Sequence, residues 1–93
     1  MPPRGGPLRL VKTLRGAGEL RWGSRQTRPV AYAIDFYSQG LQRSAAGDIR
    51  GDFAVIAGRP RVEGRLRLED GEDHRILLLD VEADSAMVEF QDA

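Results

Sequence analysis

The chain has 93 residues, 14 cationic and 14 acidic side chains, one histidine and no cysteine. That length makes one domain able to bury a core without staples. The composition excludes disulfides and thiolate metal sites, and a balanced formal charge argues against a uniformly phosphate-coated surface. The balance hides an asymmetry, because residues 1–50 carry nine cations and three acids while residues 51–93 carry five cations and eleven acids. Such halves complement each other within a fold or across an interface; a basic half also suits nucleic acid. No stretch has the length and apolarity of a transmembrane helix, and the opening MPPRGGPLRLVKTLRG lacks a signal-peptide core. A bacterial cytoplasmic protein is the expectation, supported by the preference for arginine over lysine.

Residues 1–7 are rich in proline and glycine and read as a disordered tail, leaving 8–93 as a single β domain. Leu8 to Leu14 favours a strand over a short helix. Gly16-Ala17-Gly18 reads as a turn, setting Leu14 against Leu20 in a first hairpin that ends at Trp22. Gly23 to Arg28 reads as a polar, basic loop. Pro29 to Tyr37 is the cleanest strand, with Val30, Tyr32, Ile34 and Phe36 on one face. After a turn at Ser38-Gln39-Gly40, residues 41–50 return as a strand with edge or bulge character. Over 52–57 a short helix competes with another strand: Asp52 caps and Gly58 and Pro60 stop it, but Val55 and Ile56 are β-branched.

Arg61 to Val81 reads as the central hairpin. Val62, Leu66 and Leu68 share one side of the first arm, and Ile76 to Leu79 is apolar on both faces. A four-residue loop, Asp70 to Asp73, keeps charge off the core face by setting Val62 beside Val81 and Leu66 beside Leu77. Ala86 to Gln91 closes the chain as a strand, with Met87 or Val88 inward near Phe90. Short strands separated by glycine-rich turns predict an all-β fold: a small antiparallel barrel or sandwich of six to seven strands, with at most one short helix near 52–57.

Chemistry-bearing residues are sparse. His74 beside Glu72 and Asp73 reads as a solvated turn histidine, since no further ligands stand at metal spacing. No serine has a nucleophile-elbow context. The chain is therefore expected to be no enzyme and to need no metal or cofactor. The Val30–Phe36 face carries no cation, so it reads as core and not as a base-stacking platform. The most functional-looking cluster is Arg21, Trp22, Arg25 and Arg28, where guanidinium groups grip phosphate and an indole stacks on a base. Arg21-Trp22-Gly23-Ser24-Arg25 resembles, over those five residues, the Arg-x-x-x-Arg of PilZ domains, which bind cyclic dinucleotides. Their second motif, Asp/Asn-x-Ser-x-x-Gly, is not matched: in Asp35-Phe36-Tyr37-Ser38-Gln39-Gly40 the serine stands one place late. Alternation with Leu20 makes Trp22 a core residue as well as a site candidate. The expected function is a non-enzymatic interaction module that binds a protein partner or itself. The alternative is a nucleotide- or nucleic-acid-binding barrel using the Arg21–Arg28 segment.

Overall fold

A computed structural model describes residues 7–23 and 26–92, with the backbone alone at Gln26. The tail expected over residues 1–7 lies outside these residues except for Pro7. Six strands follow one another: β1 (Arg9–Trp22), β2 (Gln26–Gln39), β3 (Gln42–Gly51), β4 (Arg61–Arg67), β5 (Asp73–Leu79) and β6 (Ser85–Phe90). They pair antiparallel throughout and close into a barrel in the order β1-β2-β3-β6-β5-β4. The all-β barrel read from alternation is the fold, with no helix among the described residues.

Where alternation is strict, it predicts the interior. Val30, Tyr32 and Ile34 are buried, as are Leu20, Trp22, Val62, Leu66, Ile76, Leu78, Ala86, Val88 and Phe90. No polar or charged residue among those described is buried. Burial of each large side chain contributes roughly 1.5–3 kcal/mol, so the core outweighs any single polar contact on the surface.

Several local expectations change. Gly16-Ala17-Gly18 is not a turn; β1 runs through it as one strand of 14 residues. A Cβ at Gly18 would come within 2.2 Å of the Arg67 carbonyl oxygen, and one at Gly64 within 2.6 Å of the Arg21 carbonyl oxygen. These glycines let β1 and β4 cross closely at the barrel seam, which is close approach and not chain reversal. The first reversal comes after Trp22, and β2 starts at Gln26, so Arg28 lies in a strand and not in a loop. Residues 52–57 form neither helix nor strand. Two turns, Ile56 N–H to Phe53 C=O (3.0 Å) and Arg59 N–H to Ile56 C=O (3.2 Å), fold there. Bonds from Phe53 N–H to Ala83 C=O (2.8 Å) and Gly58 N–H to Val81 C=O (2.9 Å) tie the segment down. Phe53 and Ile56 thereby plug one end of the barrel. So short a segment gains too few helical bonds to nucleate.

The central hairpin also shifts register. Val62 faces Leu78 and Leu66 faces His74, three places from the expected pairing. Leu68 to Glu72 make the loop, closed by Gly71 N–H to Leu68 C=O (2.9 Å) and Leu68 N–H to Glu72 C=O (2.8 Å). The rule that kept charge off the core face fails at the barrel rim, where an inward residue still reaches water. His74 stands there, its ring 4.7 Å from that of Phe90. On the outer face of β5 the apolar run is covered in part, with Leu77 buried and Leu79 half-buried. Leu77 is flanked across the sheet by Glu63 and Glu89, and Leu79 by Arg61 and Met87. β3 is no edge over 46–50, where it pairs with β6.

Leu78, fully buried opposite Val62 and Val88, gives a graded test. Leu78→Ala should cost about 2–5 kcal/mol in a denaturant titration, and Leu78→Asp should leave the chain unfolded by circular dichroism. Gly18→Ala should cost about 1–3 kcal/mol by overpacking the seam.

Candidate functional site

Alternation along a strand separates the residues of the basic cluster. Arg21 points outward, opposite Thr27 on β2 and Arg65 on β4. Trp22 points inward, 6% exposed, and meets Phe53 edge to face with ring centroids 6.4 Å apart. Arg28 is half-buried on that same inner side, its guanidinium carbon 5.8 Å from the Trp22 ring centroid. Its Nε is sealed from solvent without a hydrogen-bond partner. Arg25 lies outside the described residues. So Trp22 and Arg28 come together, Arg21 faces the other way, and the indole is packing with no face free to stack on a base.

Outside the barrel Arg21 joins a row with Arg65 and Arg75, directly opposite one another across β1, β4 and β5. They line a shallow cleft of about 520 Å³ with Glu63 and Gln91. The adjoining rows carry Glu19, Arg67 and Asp73 on one side and Glu63 and Glu89 on the other. Arg65 Nε pairs with Asp73 Oδ2 at 3.3 Å. Cations and acids thus interleave across this surface, an arrangement that neutralises itself. Nor do the two halves of the cyclic-dinucleotide motif converge. Arg21, paired with Thr27, and Ser38 stand near opposite ends of β2, roughly 36 Å apart at about 3.3 Å per residue.

The other end of the molecule is different. β1 meets β4 only over Glu19 to Trp22, although β2 accompanies β1 for its whole length. Residues 9–17 of β1, the second half of β2 and residues 42–45 of β3 therefore extend from the barrel as a three-stranded ribbon, rooted where Leu14, Ile34 and Ala45 pack against the core. This ribbon gives the molecule its long axis of 48 Å against 28 and 20 Å. Leu8, Leu10, Val11 and Leu41 on it are exposed. The outer edge of β1 is open. Ala17 N–H points away from β2 and donates to Glu69 Oε1 at 3.3 Å. Alternation then directs the backbone groups of Arg15 and Thr13 the same way, where no strand pairs with them.

A bulge between Leu10 and Lys12 resets the faces of the ribbon. On the face turned toward the barrel, Arg9 lies opposite Ser38, Ser38 opposite Arg43, and Lys12 opposite Phe36. Lys12 Nζ sits 4.9 Å from the Phe36 ring centroid. The ribbon's acid, Asp35, is on the other face, where its carboxylate accepts from Thr13 Oγ1 at 2.6 Å. A cleft of about 450 Å³ separates this basic face from the barrel rim, lined by Lys12, Phe36, Ser38 and Arg43 on one wall and His74 and Asp92 on the other.

The rim wall is held by Asp92. Its Oδ2 accepts from Arg75 N–H at 3.1 Å and its Oδ1 meets His74 Nδ1 at 3.1 Å. His74 Nε2 has no hydrogen-bond partner and lies 3.6 Å from Glu72 Oε2. Burial pushes the Asp92 carboxyl up, but the Arg75 amide, the His74 hydrogen bond and the His74 charge together hold it below its ordinary value. His74 is thus a positioned rim residue and not the free turn histidine expected from its neighbours.

Sequence reasoning passed over Arg9, Lys12 and Arg43. Reading Leu8 to Trp22 as one strand would have placed Lys12 on the same side as Leu14 and Phe36. Among the described residues, no group of three or more His, Cys, Asp or Glu side chains is placed to hold a metal ion. No helix among the described residues is long and apolar enough to cross a membrane. No protein-family model matches this chain, and neither does any curated protein or solved structure.

Asp92 gives a pH test. A carboxyl lowered by folding contributes stability above its unfolded value of 3.8, and the contribution is lost as pH falls through the folded value. Melting temperature should therefore fall less steeply below pH 4 in Asp92→Asn than in the wild type, with the curves parallel from pH 6 to 8.

Proposed function

We propose that the chain is a non-enzymatic binding module that takes up an extended segment of a protein partner along the open edge of β1. One observation carries this reading: a strand of 14 residues shares only four residue pairs with β4, leaving backbone donors and acceptors unpaired beside exposed Leu8, Leu10 and Val11. An edge of this kind is a template for strand addition. The bulge beside Lys12 and the charges of Arg9, Lys12 and Arg15 discourage indiscriminate pairing.

The same charges favour a different chain over a second copy. Antiparallel pairing of two copies across residues 9–15 would set three cations against three, with no acid on either strand before Glu19. A partner segment with acidic and apolar residues meets neither obstacle. The nucleotide or nucleic-acid alternative draws little support at Arg21–Arg28, because Trp22 is buried and Arg21 faces away from Arg28. Thirteen of the fourteen cations are arginine, and on that bias we place the protein in a bacterial cytoplasm.

Selection from a displayed library of random ten-residue peptides, followed by fluorescence anisotropy, tests the edge. Arg15→Pro removes an edge N–H, whereas Arg15→Ala removes the charge and keeps it. Selected peptides should bind Arg15→Ala within about fivefold of wild type and lose at least tenfold on Arg15→Pro. Peptides indifferent to Arg15→Pro, or a selection that enriches nothing, would contradict strand addition.

A further inference from the structure

We propose that the barrel-facing side of the ribbon, at Arg9, Lys12, Ser38 and Arg43, is a binding site for a small organic phosphate. The site is separate from the β1 edge and does not depend on a strand binding there. Arg9, Ser38 and Arg43 form one row across three strands, and Lys12 stands one step nearer the barrel. Side chains of directly paired residues share a face, so three cations surround one hydroxyl. None of the three makes an ion pair with any described residue.

This distribution is unusual within the molecule. Around Arg21, Arg65 and Arg75 acids alternate with the cations, and the surface balances its own charge. On the ribbon the acid is turned to the opposite face, where Thr13 and Tyr37 hold it. Across the cleft, Asp92 is engaged by His74 and the Arg75 amide. Like charges flanking one hydroxyl oppose folding unless something anionic sits between them. Such a cluster on a convex surface would be dispersed by water; here Lys12 and Arg43 wall a cleft, and Arg9 stands beside it across the sheet from Ser38.

The chemistry selects the ligand. Arginine forks match phosphate oxygens, a lysine adds a point charge, and the Ser38 hydroxyl supplies a neutral donor. Three positive charges match a phosphate dianion better than a single carboxylate. The cleft, about 450 Å³ with Val11 and Phe36 on its walls, exceeds what inorganic phosphate fills. That size and lining suit an organic body attached to the phosphate.

Amide shifts by NMR, with titrations of AMP, GMP, ribose 5-phosphate and phenyl phosphate, test the site. Inorganic phosphate, adenosine and benzoate serve as the comparison arms. At least one organic phosphate should bind tenfold or more tightly than inorganic phosphate and benzoate, shifting the amides of Lys12, Ser38 and Arg43. Arg43→Ala should weaken it at least tenfold with an unchanged melting temperature, and Arg21→Ala should leave it within twofold. Equal binding of inorganic phosphate would reduce the site to a bare ion contact and overturn the organic ligand. Binding by adenosine alone, shifts confined to the Arg21–Arg65–Arg75 row, or no binding by any of the four would overturn the proposal entirely.

Discussion

The architecture depends on a short ladder. Four residue pairs between β1 and β4 close the barrel, and they exist because Gly18 and Gly64 leave no Cβ in the way of the opposing carbonyls. Closure there buries Leu20 and Trp22 on β1 and Leu66 on β4 in the common core. It also fixes where β1 stops being part of the barrel. Residues 9–18, apart from the bulged Val11, keep their β2 partners but pair with no other strand among the described residues.

That mismatch between strand length and ladder length generates both candidate surfaces. The open edge of β1 supplies unpaired backbone groups, which recognise an extended chain by geometry. The ribbon face supplies three cations and a hydroxyl, which recognise an anion by charge. The two are physically distinct because backbone groups lie in the plane of the sheet and side chains stand out of it. Within the sequence, four of the nine cations of the first half, Arg9, Lys12, Arg15 and Arg43, lie on the ribbon. The acids of the second half are spread over the barrel rim and outer rows, where they offset Arg65, Arg67 and Arg75.

The interior was legible because its signal is periodic. Val30 to Phe36 alternates without interruption, and the structure buries that face from Val30 to Ile34, leaving Phe36 half-buried where the barrel ends. What could not be read locally were features set by partners distant in sequence. Glycines at 16 and 18 have the composition of a turn; only β4, nearly 50 residues later, makes Gly18 a crossing. His74 looked wrong on a core face because periodicity does not say where a barrel ends. The Arg21–Arg28 cluster looked convergent because sequence proximity ignores that neighbouring residues of a strand face opposite ways. Arg9, Lys12 and Arg43 were invisible as a group, since β2 brings them together and a bulge sets the face of Arg9.

Backbone hydrogen exchange along β1 tests the central claim that this strand belongs to the barrel at one end only. The amides of Glu19 and Arg21 should exchange slowly, bonded to β4, and those of Leu14 and Gly16 slowly, bonded to β2. Thr13 and Arg15 should exchange at least a hundredfold faster than either group. Protection of Thr13 and Arg15 equal to that of their neighbours would mean the edge is covered, and rapid exchange at Glu19 and Arg21 would mean the barrel is not closed; either contradicts the account.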